Sequence, residues 1–477
     1  MLFSSSIFLF LFLPLMLLGY YGPCRLLGRW SRPAQNLLLL AGSLLFYAWG
    51  EPWFVLVMMA SILINYAFGL WVHAQKSRGK STRVPVVLSV VSNLGLMFVF
   101  KYLTFVLREL GRLGLSLTIP VIELPLGISF FTFQAMSYVL DVDRDRGQVQ
   151  RNPLKVALYI SFFPQLIAGP IVKYETVAEE IDGRRETWAD CSAGVCRFLV
   201  GLGKKVILAN QLAVAADFAY GLSPHALSTG MAWLGSLCYT LQIYYDFSGY
   251  SDMAIGMGWM FGFHFLENFN YPYISRSVTE FWRRWHISLS TWFRDYVYFP
   301  LGGSRVDQRW KHIRNLFVVW LLTGIWHGAA WTFLLWGLYY FTLLLLEKFC
   351  GLGLGRGWPD WSRWLFTFFL VNLGWVFFRA EQLSVALPYL RAMFTPAAGV
   401  WDGYASLFLT DNLPILLAAV LGCAPVLPWL GKRTARWTGG AALARDLCCS
   451  AALLLLLVIS ASFIVKGTYN PFIYSNF

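Results

Sequence analysis

Apolar runs alternate with short basic links along nearly the whole chain. The runs lie near residues 7–18, 36–49, 53–72, 84–106, 124–140, 154–172, 195–215, 230–245, 253–265, 317–346, 364–378, 413–430 and 447–465. A helix of about 20 apolar residues crosses a bilayer, so the pattern predicts an all-α polytopic protein with about ten or more crossings. The run at 36–49 is short of a full crossing and reads either as a span with little tilt or as one arm of a hairpin. Arg25, Arg29 and Arg32 follow the first run, and Lys76, Arg78, Lys80 and Arg83 follow the third. The positive-inside bias puts both links in the cytoplasm and the N-terminus outside. No basic residue precedes the 7–18 run, which therefore reads as a retained anchor rather than a signal peptide. In the run at 317–346, Gly324 and Gly328 bracket His327, which predicts a break or a close backbone approach there.

Charge, histidine and tryptophan gather in one stretch, from Phe281 to His327. Wound as a helix, its first part puts Trp282, Trp285, Leu289, Trp292, Phe293 and Tyr296 on one arc. Arg283, Arg284, Ser288, Ser290, Thr291, Arg294 and Asp295 fill the other. His286 falls on the border between them. A second polar island, YYDFSGYSDMAIG from Tyr244, places Tyr245, Asp246, Ser248, Ser251 and Asp252 between two apolar runs. These residues suit either caps at a helix junction or groups that orient a histidine and line a substrate path.

Composition confirms the membrane reading and narrows the chemistry. The 477 residues are 57% hydrophobic and 13% charged, with a net charge of +13. The basic residues sit between apolar runs, where topology explains them, so nucleic acid is not implied. The eight cysteines include no CxxC, and no histidine spacing suggests a metal site. No nucleophile elbow, P-loop or dinucleotide fingerprint occurs. His73, His225, His264 and His312 read as interfacial. His327, flanked by Trp326 in an apolar run, is costly there and marks a polar cavity or functional site. A neutral imidazole takes a proton from an attacking hydroxyl and returns it to a leaving group, so His327 and His286 point to group transfer. An oxyanion formed in acyl transfer needs donors, which Arg, Trp or Tyr supply in a dry site.

Several long stretches, in order, carry a resemblance: FSSSIFLFLFLPL, LPLGISFFTFQAMSYVLDV, YISFFPQLIAGPIVKY, LQIYYDFSGYSDMAIG, FWRRWHISLSTWFRDYVYFPLGGSR and LLTGIWHGAAW. On these the chain resembles the membrane-bound O-acyltransferase family, within its bacterial branch that O-acetylates alginate. The resemblance implies one integral membrane domain over 1–477, a motif core at about 124–337 and a looser helical extension at about 360–477. It implies a ring of ten or more tilted helices, with re-entrant or interfacial ones, around a central passage in a bacterial cell membrane. His327 matches the family's near-invariant histidine, which implies a base on the acceptor hydroxyl or a group that assists acyl handover, and His286 matches its second motif histidine, which implies positioning or polarising the reacting groups. Asp246, Tyr245, Ser290, Arg283 and Trp326 are the expected tunnel-lining residues. The donor is acetyl-CoA or an acyl carrier protein, with no bound cofactor or metal. The expected partners are membrane lipid, an extracytoplasmic acyltransferase and a polysaccharide acceptor. The teichoic acid D-alanylation branch shares the two histidine patterns. A transporter is the rival from another class, though no internal two-fold repeat supports it.

Overall fold

The computed structural model describes residues 1–351, 357–467, 470, 471 and 473, and among these no strand forms. Helices suit a bilayer because they satisfy every backbone N–H and C=O within the segment. Among the described residues six helices are long and apolar enough to cross: Phe54–Ser77, Arg83–Arg112, Trp188–Gly221, Trp331–Cys350, Gly403–Gly422 and Gly439–Lys466. The pair Phe8–Tyr21 and Arg25–Ala48, bent by 81°, makes a seventh if it counts as one span. The protein is thus multi-pass, with fewer qualifying spans than the apolar runs predict. Some runs are short: Ile128–Asp143 has 16 residues, about 24 Å of helix against a hydrocarbon core of about 30 Å. The run at 154–172 is not one helix. It stops at Ser161, Phe162 turns out at ψ 113°, and Phe163–Leu166 adds a single further turn.

The chain divides into two compact units. The first comprises Met1–Phe198 and Ser251–Leu266. Its helices Phe54–Ser77 and Arg83–Arg112 are pinned by a reciprocal amide pair. Asn65 Nδ2 donates to Asn93 Oδ1 at 3.0 Å and Asn93 Nδ2 to Asn65 Oδ1 at 2.7 Å. Side-chain amides serve this role between apolar helices, where burial drives no association. At the bent pair, Arg32 meets Glu186 at 2.5 Å and Arg184 Nε donates to the Tyr20 hydroxyl at 2.9 Å, tying the elbow to the 184–186 turn.

The second unit comprises Leu199–Tyr250 and Glu267–Ile473 and holds both candidate histidines. Helix Thr229–Met260 runs unbroken through the polar island for 32 residues. The two runs at 230–245 and 253–265 are therefore one helix, and Asp246 and Asp252 are mid-helix residues, not junction caps. The apolar run at 317–346 divides as expected, into Arg309–His327 and Trp331–Cys350. The two halves fold back on each other with glycines at the crossing. A β-carbon on Gly324 would lie 2.6 Å from the Phe333 carbonyl oxygen, and one on Gly337 2.6 Å from that of Trp320.

Candidate active site

Around His286 the expected continuous amphipathic helix does not form. Ser277 caps the first piece, Val278–Arg284, accepting the Glu280 N–H at 3.0 Å, and the buried Glu347 carboxylate accepts the Thr279 N–H at 3.0 Å. The helix ends at Trp285, and His286 sits at φ 45°, ψ 54°, a left-handed conformation that a β-carbon disfavours. A second short helix, Ile287–Phe293, then starts in a new direction. The arcs drawn on one helix are thus carried by two.

Asn268 holds this corner. Its backbone carbonyl accepts the Ile287 N–H at 2.9 Å, while its side-chain oxygen accepts the Ser288 hydroxyl at 2.9 Å and the Ser288 N–H at 3.3 Å. A group that accepts a backbone N–H is an oxygen, so His286 Nδ1, 3.1 Å from the same atom, is the protonated ring nitrogen. The Nε2 lone pair is then the reactive face. It is buried and meets no hydrogen-bond partner among the described residues. The ring is 1% exposed, and burial pushes its pKa down to about 3. His286 is therefore neutral near pH 7 and serves as a hydrogen-bond acceptor better than as a strong base.

His286 belongs to the wall of a cavity of about 670 Å³. His286, Leu289, Phe293, Trp320, Thr323 and Glu347 are its buried members, whereas Arg283, Arg294 and Lys348 stand exposed on it. Ser290 and Trp282 also line it. The arrangement is polar and cationic where it meets solvent and aromatic where it is dry. His312, expected at an interface, is buried beside this rim, with Lys348 Nζ 3.0 Å from its Nε2. Burial and the Lys348 ammonium lower its pKa.

His327 closes helix Arg309–His327, is 4% exposed and does not line the cavity. Its ring lies 4.9 Å from Trp326, 5.0 Å from Trp336 and 5.0 Å from Phe378. Trp326 in turn is 6.1 Å from the His286 ring, so one indole touches both imidazoles. Trp282 and Trp336, 5.5 Å apart, make a second aromatic link between the cavity and His327. The remaining expected residues lie one turn away along the unbroken helix. Phe247 packs edge-on to His286 at 4.6 Å, but Asp246 Oδ1 is 2.5 Å from Lys205 Nζ and the Tyr245 hydroxyl donates to the Ala419 carbonyl. Neither Tyr245 nor Asp246 lines the cavity. Sequence reading left out Asn268, Trp336, Glu347 and Lys348 as site residues, because nothing in their local pattern tells a site residue from a packing one.

A multi-pass helical protein with a neutral, dry imidazole beside a cation-rimmed cavity has the architecture of a membrane-embedded group-transfer enzyme. The chain belongs to the MBOAT, membrane-bound O-acyltransferase, family, whose model matches residues 39–380, and it is an O-acyltransferase. It is 45% identical over 401 residues to the "Probable alginate O-acetylase AlgI" of Azotobacter vinelandii, covering 83% of this chain and 78% of that protein. It is 36% identical over 427 residues to the "Peptidoglycan O-acetyltransferase" of Helicobacter pylori, covering 82% and 80%. To the "Teichoic acid D-alanyltransferase" of Bacillus subtilis it is 32% identical over 254 residues, covering 50% and 62%.

Proposed function

We propose that this enzyme moves an acetyl group from a cytoplasmic thioester, on coenzyme A or an acyl carrier protein, to a hydroxyl of an exported polysaccharide, directly or through an extracytoplasmic partner. The observation that carries the reading is the cavity itself. Its 670 Å³ suits a pantetheine-type arm with a small acyl group, its buried wall includes His286, and its rim offers Arg283, Arg294 and Lys348 to phosphate or an acidic carrier. Such a rim belongs on the cytoplasmic face of a bacterial cell membrane, where positive charge is retained.

In the reaction the acceptor hydroxyl loses its proton to an imidazole as its oxygen bonds to the acyl carbon. The carbonyl electron pair moves onto oxygen, the C–S bond then breaks, and the thiolate takes up the proton. His327 fits the base, because His286 is held neutral and poorly basic and is better placed to orient a reacting group. Alginate and peptidoglycan acetylation, the activities named for the long-matching relatives, favour acetyl over alanyl transfer.

Membranes carrying the full chain, supplied with labelled acetyl-CoA or acetylated carrier protein, test this. Wild type should pass label to polysaccharide, and His327→Ala should lose at least about 10²-fold of the rate, the usual worth of a general base. Wild-type turnover in His327→Ala, or solute movement without acyl turnover, would sink the reading.

A further inference from the structure

The aromatic link between the cavity and His327 carries hydrogen-bond donors that the fold itself does not use. Trp282 Nε1 and Trp336 Nε1 are both buried, and neither meets an acceptor among the described residues. Trp282 lines the cavity; Trp336 does not, and its ring lies 5.5 Å from that of Trp282 and 5.0 Å from that of His327. A buried N–H left without an acceptor destabilises the folded state, so such groups are rare unless a ligand completes them. Here two stand on adjoining rings, beside the two imidazoles. Both are donors, and an indole N–H never accepts. Their complement is therefore a hydrogen-bond acceptor, as a carbonyl oxygen or an oxyanion is.

We propose that the indole N–H groups of Trp282 and Trp336 bind the acyl carbonyl oxygen and the oxyanion formed from it, which makes both tryptophans catalytic residues. The inference rests on the acyl-transfer reading above. As the acceptor oxygen adds to the acyl carbon, the carbonyl π pair becomes a lone pair on an oxygen held by the two N–H groups. Collapse of that adduct re-forms the carbonyl and breaks the C–S bond. The surrounding rings, Trp320 at 4.8 Å and Tyr340 at 4.7 Å from Trp282, keep the donors fixed and dry, so their dipoles need no reorganisation during the reaction.

Trp282→Phe and Trp336→Phe keep an aromatic ring and remove the N–H. In membranes given labelled acetyl-CoA or acetylated carrier protein, each should lower kcat by roughly 10²-fold, the effect of deleting one oxyanion donor, with KM for the donor within about twofold. The smaller ring leaves a cavity that lowers thermal stability modestly, whereas benzothienylalanine, which removes only the unsatisfied N–H, should leave stability level or raise it with the same loss of kcat. A merely structural tryptophan gives the opposite pattern, lost stability with activity falling in step. If a phenylalanine variant does not fold, benzothienylalanine at the same position keeps the bicyclic shape and lacks the N–H. A kcat within twofold of wild type in both folded variants overturns the inference while leaving acyl transfer standing. Absence of wild-type turnover with either donor overturns the acyl-transfer reading and the inference with it.

Discussion

His286 occupies a left-handed backbone conformation that costs a residue with a β-carbon about 1–3 kcal/mol, and Asn268 is what holds it there. Glycine adopts φ 45° without that cost, so His286→Gly should melt at a higher temperature than His286→Ala, although both lack the imidazole. Equal melting temperatures would show that the corner stores no strain. Asn268→Ala removes the shared acceptor from His286 Nδ1–H and from both Ser288 donors, and should cost about 1–3 kcal/mol with a larger loss of activity than Ser288→Ala. The pH dependence follows from the same burial. The His286 pKa is lowered from 6.5 to about 3, so between those values the unfolded chain binds the extra proton and the folded one does not. Stability from this group is complete above about pH 6.5 and is lost as pH falls toward 3. The melting temperature of wild type should therefore drop more steeply on acidification than that of His286→Gln, since the carboxylates contribute equally to both.

At the scale of elements, the hairpin of Arg309–His327 and Trp331–Cys350 fixes where His327 and Trp336 stand. Gly324 and Gly337 let the two backbones approach so closely that a β-carbon on either would strike a carbonyl oxygen rather than a mobile side chain. Gly324→Val or Gly337→Val should therefore destabilise by about 1–3 kcal/mol and separate His327 from Trp336. The check is the melting temperature together with acyl transfer, and a variant as stable and active as wild type would mean that the crossing is not tight. This break was legible in the sequence because glycine and an ionisable residue inside an apolar run have few other causes. The break at His286 was not, since the acceptor that makes it, Asn268, lies 18 residues upstream. The polar island misled in the other direction. A helix carries Asp246 at its middle because Lys205, from another helix of the same unit, meets the carboxylate at 2.5 Å, and local periodicity does not report such a partner. His286 and Trp326 do meet, with ring centroids 6.1 Å apart, although 40 positions separate them along the chain.

For the whole molecule, the distribution of charge around the cavity decides what it binds and the dry aromatic end decides what it does. Arg283 and Lys348 stand exposed on the rim of the cavity whose buried wall includes His286. A rim charge that attracts an anionic donor contributes to encounter and ground-state binding, not to the transition state, so its loss raises KM and spares kcat. Arg283→Gln combined with Lys348→Gln should raise KM for acetyl-CoA severalfold and change kcat by less than about twofold. In wild type, raising ionic strength from about 0.05 to 0.5 M shortens the Debye length from about 14 Å to about 4 Å and should raise KM in the same sense. The double variant should lose most of that salt dependence, because the charges being screened are gone. If kcat collapsed while KM and its salt dependence stayed unchanged, the two cations would belong to the chemistry rather than to donor capture. The donor would then enter by a route other than this cavity.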